Sequence, residues 1–379
     1  MNKKLELKLI EKVKKDPYCL KHIYQTERIC LEAVKENGLV LKYVKDQTEE
    51  LCLEAVKNDG NALEYVKDQT EKVCLEAVKQ NGYALRYVKD QTEDVCLAAV
   101  KQNGYALGDV KVQTPAICLE AIKQNRHALR YVKEQTEDIC LEAIKINMYT
   151  LELIKDQTEA ICLEAVKRDG NLLVHVNDQT EKICLEAVKQ NGGALGYVAK
   201  QTEAICLEAV KQNGFAIQYV KDQTEEICLA AVKNHGSALQ YVENKNKTKN
   251  ICLEAVKENG LALCYIEHQN QRDEICLEAV KQNGLALFYV RNKTDEICSE
   301  ALKNNFNAYR YMNIDNVTTA LLVLNILLQH KHKDEKLLTD IIKTFSEDKE
   351  VIDFYTKHKL WKHVNFSMLN DLVEYSMVI

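Results

Sequence analysis

A single cysteine recurs at a fixed interval through most of this chain, and that interval limits what the chain can fold into. Cys30, Cys52, Cys74, Cys96, Cys118, Cys140, Cys162, Cys184, Cys206 and Cys228 are each 22 residues apart. Cys252 and Cys276 follow at steps of 24 and Cys298 at 22, which makes 13 copies of one phrase. The two longer steps carry their extra residues in polar joints, ENKNKT (243–248) and EHQNQR (267–272), which marks those joints as loops. A degenerate copy, LIEKVKKDPYCLKHIYQT (9–26), precedes the first, with Val13, Leu20 and Ile23 on the apolar positions. Strict self-similarity at a short period is the signature of stacked supersecondary units.

Each copy predicts two helices. Thr114-Pro115 sets the start of the first, because proline suits the first helical turn, where its missing N–H has no intrahelical partner. Thr114, and with it Thr70 and Thr92, is then the N-cap. The acid that follows (Glu71, Glu93) suits the positive end of the helix dipole. The helix runs to Asn81 and stops at Gly82, read as a C-cap glycine. Arg126, Met148 and Phe306 replace that glycine in three copies, and those joints should be less settled. A second, shorter helix follows at about Tyr83 to Lys89. At 100° per residue, Val73, Cys74, Ala77, Val78 and Asn81 share one stripe of the first helix, with Glu76 and Lys79 opposite. In the second helix Ala84, Leu85 and Val88 face inward, Tyr87 lies at the edge, and Tyr83 and Arg86 face out. One copy cannot bury enough apolar surface to fold alone, whereas stacked copies cover each other. The expected fold is all-α: an α-solenoid of about 13 two-helix repeats. The organisation expected is a divergent capping repeat at 1–26, the solenoid at 27–312, and a helical cap or small domain at 313–379. This last segment holds TTALLVLNILLQ, KLLTDIIKTF, KEVIDFYTKH and SMLNDLVEYS, and the single tryptophan, Trp361.

The cysteines lie inside the apolar stripe. Neighbouring copies sit a helix spacing apart, roughly 8–10 Å, beyond the reach of about 7 Å between Cα atoms that a disulfide needs. Neither a C-x-x-C pair nor a zinc-type Cys/His spacing occurs. The thiols therefore read as small buried hydrophobes. Cys19 and Cys264 lie off the ladder, and Cys264 takes an outward position. No phosphate loop or nucleophile motif is present, so neither cofactor nor metal is expected, and His330 and His332 form only a lone H-x-H. The N-terminus lacks a signal-peptide core, and the longest apolar run is far short of the roughly 20 residues that span a bilayer.

The variable positions are the candidate partner-binding residues. They pair three apart on the outer face of the second helix, among them Tyr83/Arg86, Tyr105/Gly108, His127/Arg130, Leu261/Cys264 and Leu285/Phe288. A constant frame carrying a variable stripe is how repeat proteins read ligands. Two consecutive pairs, Leu261/Cys264 and Leu285/Phe288, are apolar, and helix angles place all four side chains outward. Net charge is −6, with a Lys ladder (Lys79 and counterparts) flanked by a Glu ladder. A protein partner is therefore expected, no membrane, and a nucleic-acid reader using one repeat per base is the disfavoured second reading.

The phrases LEAVKQNGxALxYV and QTEEICLEAVK resemble the repeats of domain of unknown function 4116 over about residues 27–312. Such repeats look abundant in amoeba-infecting giant viruses of the mimivirus kind and occur in some bacteria. The resemblance implies a helical repeat in a viral or host-cytoplasmic setting, and supplies no activity and no site.

Overall fold

The computed structural model describes residues 3–314, 317–329, 335–345 and 348–358. Trp361, the SMLNDLVEYS segment, His330 and His332 lie outside them. The chain is an all-α repeat solenoid that divides into two compact units, Met1–Gln190 and Asn191–Ile379. Within each unit, α-helices of ten residues pack on one another in sequence order, and a six-residue helix follows each.

The copy of Cys74 shows the construction. Its α-helix is Glu71–Gln80, opened by Thr70, whose hydroxyl oxygen accepts from the Val73 N–H. Val73, Cys74, Ala77 and Val78 are the residues it buries, as the stripe requires. Pro115 occupies the first turn after Thr114 in the copy of Cys118. In the N-terminal stretch, Lys3–Lys15 packs on Glu27–Glu36 and Pro17–His22 supplies the shorter helix. Val13 and Leu20 are buried there, and Ile23 is half-buried.

Two local readings are corrected. The second helix is not α but 3-10, from Gly82 to Tyr87, and it ends two residues before Lys89. Six residues do not complete two α turns, and the Asn81 side chain fixes the start by accepting from the Tyr83 N–H at 3.1 Å. At three residues per turn, positions i and i+3 eclipse, so Tyr83 and Arg86 share a face more strictly than an α-helix allows. Nor is Gly82 a left-handed C-cap. The α-helix ends at Gln80, Asn81 is extended (φ −144°, ψ 109°), and no repeat glycine adopts a left-handed φ. Glycine is needed for close approach: a Cβ on Gly82 would lie 2.7 Å from the Ala99 carbonyl oxygen of the next layer.

The layers are joined by a side chain that the apolar pattern does not announce. The Gln69 amide nitrogen donates to the Leu63 carbonyl of its own layer and to the Tyr87 carbonyl of the next, at 3.3 and 2.9 Å. Its oxygen accepts from the Lys89 N–H at 3.0 Å, and the Cys74 thiol points at the same oxygen at 3.9 Å. Gln25, Gln47, Gln91, Gln113, Gln157, Gln201, Gln223 and Gln271 repeat the bond to the next layer's carbonyl. A second amide closes the other end of the layer: the Gly82 N–H donates to Gln102 Oε1 of the next helix at 2.7 Å. Thr70 completes the set, donating its hydroxyl proton to Glu49 of the preceding layer at 2.8 Å.

Where glycine is replaced, its amide partner is replaced too. Arg126 faces Ile146, and Met148 faces Arg168, at the positions that Gly82 and Gln102 hold elsewhere. The 3-10 helix Arg126–Tyr131 scarcely touches the following α-helix Glu137–Ile146, whereas Gly82–Tyr87 packs closely on Glu93–Gln102. The less settled joint expected at Arg126 is thus a wider one, since a side chain cannot approach as the glycine does, although Ala128 and Leu129 stay buried.

In the C-terminal stretch, Val317–Gln329, Glu335–Thr344 and Lys349–Lys357 are α-helices, in line with the first three segments read there. Val317–Gln329 packs on the last repeat helix, Asp295–Asn304, and buries Ala320, Val323 and Leu324.

Two outcomes check this construction. Gln69→Leu should destabilise by about 1–3 kcal/mol, the usual penalty for unpaired buried polar groups, measured by urea unfolding, while Gln80→Leu costs the single bond to the Gly60 N–H. Deleting a whole copy, Thr114–Gln135, should leave a protein of undiminished helicity per residue, whereas deleting Thr114–Gln124 alone should not. Equal damage from the two deletions, read by circular dichroism, contradicts the period.

Candidate functional site

The thiol ladder belongs to the core. All ladder cysteines are buried and free. Burial raises each thiol's pKa, pushing Cys30, Cys228, Cys276 and Cys298 up to about 11. Among the described residues no group of three or more His, Cys, Asp or Glu could hold a metal ion. Of the two cysteines off the ladder, Cys264 is exposed and Cys19 is buried.

The outward pairs of the 3-10 helices form a stripe that varies in chemistry from layer to layer, from aromatic to charged to apolar, on a repeating backbone. Tyr83, Arg86, Arg130, Leu261, Cys264 and Phe288 are exposed. Tyr105, His127 and Leu285 are half-buried rather than fully outward. The stacking accounts for this in Tyr105: the tyrosine that ends the next 3-10 helix, Tyr131, leans back on it edge to face at 5.9 Å. Phe215 with Tyr241 and Phe288 with Tyr311 make the same inter-layer contact, at 6.3 and 5.0 Å. The recurring tyrosine thus acts between layers, as a packing residue does.

Candidate residues gather at two places. In the second unit, Phe288 is 58% exposed between Tyr289 and Tyr311, each 5.0 Å away between ring centroids. Beside it lies a depression of about 450 Å³ lined by Cys264, Tyr265, Gln271 and Tyr289 among others. In the first unit, Tyr83, Tyr105, His127, Arg130 and Tyr131 line a second depression of about 430 Å³. Arg86 is engaged, sitting 3.4 Å from Asp109 and over the Tyr83 ring.

The Lys and Glu ladders belong to the α-helices rather than to the 3-10 stripe, and some of their members pair with each other. Glu32–Lys35, Glu142–Lys145, Glu254–Lys257 and Glu300–Lys303 close as ion pairs. Such exposed pairs are worth a few tenths of a kcal/mol. A second row, Lys67, Lys89, Lys111 and Lys133, donates to the carbonyl 22 residues earlier at 2.7–2.9 Å. Its ammonium groups are thereby partly spent on the framework.

The family model for a domain of unknown function, DUF4116, matches nine overlapping windows, which together cover residues 26–112 and 159–315. The chain belongs to the DUF4116 family. Each window, such as 48–92, holds two copies of the phrase, so the DUF4116 unit is a pair of adjoining layers. That fits a layer whose bonds are made by its neighbour. The unmatched stretch, 113–158, is where Arg126 and Met148 stand for glycine. No curated protein matches the chain. The DUF4116 description carries no activity, so the giant-virus setting rests on the resemblance alone. Among the described residues no helix is long and apolar enough to cross a membrane.

Sequence reasoning missed the glutamine ladder. Its signal was present, since DQT or its variant ends nearly every copy, but apolar periodicity assigns such a residue to a polar joint.

The thiol assignment has a pH signature. A raised thiol pKa means the folded state holds its proton more tightly than the unfolded chain. The stability this contributes is present below the unfolded value of about 8.5 and is lost as pH rises toward 11. Thermal midpoints should therefore fall between pH 9 and 11, and less steeply after Cys74→Ala and Cys96→Ala. At neutral pH a maleimide should label Cys264 first and the ladder only after denaturation; fast native labelling of many ladder thiols contradicts burial.

Proposed function

We propose that the chain is a non-enzymatic scaffold that binds a protein partner through the outward pairs of its 3-10 helices. The observation that carries this reading is the separation of labour within a layer. Glutamine, glycine, threonine and cysteine are committed to the stack in layer after layer, while the eclipsed outward positions differ between layers and only some of them, such as Tyr105 on Tyr131 and Arg86 on Asp109, engage the next layer. Solvent-exposed aromatic residues set on a rigid frame are the usual anchors of protein interfaces. Phe288, with Leu261 at 38% exposure and Cys264 near it, forms an apolar patch on an otherwise charged chain, and such patches mark contacts.

In this reading residues 1–26 and 313–379 cap the stack, and the setting is cytoplasmic, the host cytoplasm if the chain is viral. Reading nucleic acid would need Lys and Arg gathered along the variable stripe. The stripe instead scatters Lys42, Arg86, Arg130 and Arg310 among Glu64, Glu152 and its apolar members, so its cations form no continuous row.

Affinity purification from a cell lysate, with and without nuclease, tests the reading. Protein should be recovered in stoichiometric amounts irrespective of nuclease, and the charge reversal of the patch, Leu261→Glu with Phe288→Glu, should reduce recovery at least tenfold at unchanged helicity. Recovery abolished by nuclease would favour the nucleic-acid reading, and recovery indifferent to the double substitution would remove the patch from the interface.

A further inference from the structure

The depression in the first unit is bounded on one side by the 3-10 helix Arg126–Tyr131, whose joint with the next α-helix is the widened one. Arg126 separates the 3-10 helix Arg126–Tyr131 from the next α-helix, and Ile139 on that helix is 7% exposed, against 1% for Ile117 and Ile161. Gly108 contributes further, because a Cβ there would stand 3.0 Å from the Tyr131 ring. With no side chain in the way, that ring lies against the backbone and borders the hollow with Tyr83 and Tyr105. The family pattern lapses over the same copies, 113–158.

Charge around the hollow is specific. Arg86 is bound to Asp109, and Arg126 is bound to Glu152 at 3.1 Å and to the Tyr149 carbonyl at 3.0 Å. Arg130 is exposed and has no acid or carbonyl partner among the described residues, and the imidazole of His127 beside it has no hydrogen-bond partner there either. One uncommitted guanidinium thus stands at the edge of three phenol rings, flanked by acids that are already neutralised.

We propose that this hollow binds an acidic peptide segment, with one carboxylate on the Arg130 guanidinium and a neighbouring apolar side chain against the Tyr105 and Tyr131 rings. This rests on the protein-binding reading above and names the chemistry of one contact within it. A planar guanidinium takes a carboxylate in a two-point hydrogen-bonded pair, and the aromatic walls reward burial of an apolar group next to it. A nucleic-acid strand is the poorer fit. It presents a phosphate at each nucleotide and is held by a row of cations, whereas Asp109 and Glu152 occupy the neighbouring cations here.

The full chain, titrated by fluorescence anisotropy, tests the site with three labelled probes: a Phe-Glu-Phe-Glu peptide flanked by Gly-Ser, its Phe-Gln-Phe-Gln counterpart, and an oligouridylate. The Glu peptide should bind on the order of tenfold or more tightly than the Gln peptide, the range of a hydrogen bond to a charged group. Arg130→Gln should abolish that difference. Lys145→Gln, which removes an equal charge from an α-helix rather than from the 3-10 stripe, should preserve it. Tyr105→Ser with Tyr131→Ser should weaken both peptides at unchanged helicity. Equal binding of the two peptides, no binding of either, or Arg130-dependent binding of the oligouridylate alone overturns the proposal. Undiminished recovery of a protein partner by the Arg130→Gln chain overturns this site while leaving the scaffold reading intact.

Discussion

The glutamine amide that spans two layers is the interaction on which the rest of the structure depends. A layer of one ten-residue α-helix and one six-residue 3-10 helix leaves backbone carbonyls and N–H groups unpaired at every joint, since short helices have proportionately many ends. Gln69 answers two carbonyls and an N–H at once. It cannot do so within one layer, because two of those groups belong to the next. Folding and stacking are consequently one event, and the apolar stripe of Val73, Cys74, Ala77 and Val78 adds burial to a register that the amides have set.

That division explains what sequence could reveal. Period, N-caps, the inward stripe and the outward pairs were legible because each follows from residue type at a spacing. Gly82 was legible as a special position but its purpose was misread, because a C-cap glycine and a close-approach glycine look alike in a string. Only the neighbouring layer's Ala99 carbonyl distinguishes them. The 3-10 geometry was equally hidden, as it is imposed by the Asn81 cap and the length of the segment rather than by propensity. Cys19, off the ladder, is buried by the N-terminal layer all the same.

The candidate site was less legible than the fold. Tyr83, Arg86, Tyr105, His127 and Arg130 could be picked out as variable, yet nothing in their order says that Arg86 is engaged by Asp109 and Arg130 is not. Nor does the string reveal that the 3-10 helix begun by Arg126 stands farther from its following α-helix. A departure from the repeat has meaning only against its partner twenty residues on, where Ile146 has replaced the amide.

The bonds between layers join residues 18 to 24 positions apart. Most copies therefore meet their successors with the same complementary set, the copies of Arg126 and Met148 being exceptions. A tandem duplication or loss in the coding sequence would add or remove a layer whose partners are already in place on both sides. The two longer joints show this tolerance: at the first, Lys247 stands in for the glutamine and still reaches the Tyr265 carbonyl at 3.0 Å. Length can thus change by recombination in whole units, without a folding intermediate that lacks a neighbour. Each added layer brings a fresh outward pair, so the same event that lengthens the chain also lengthens the surface on which new recognition can be selected.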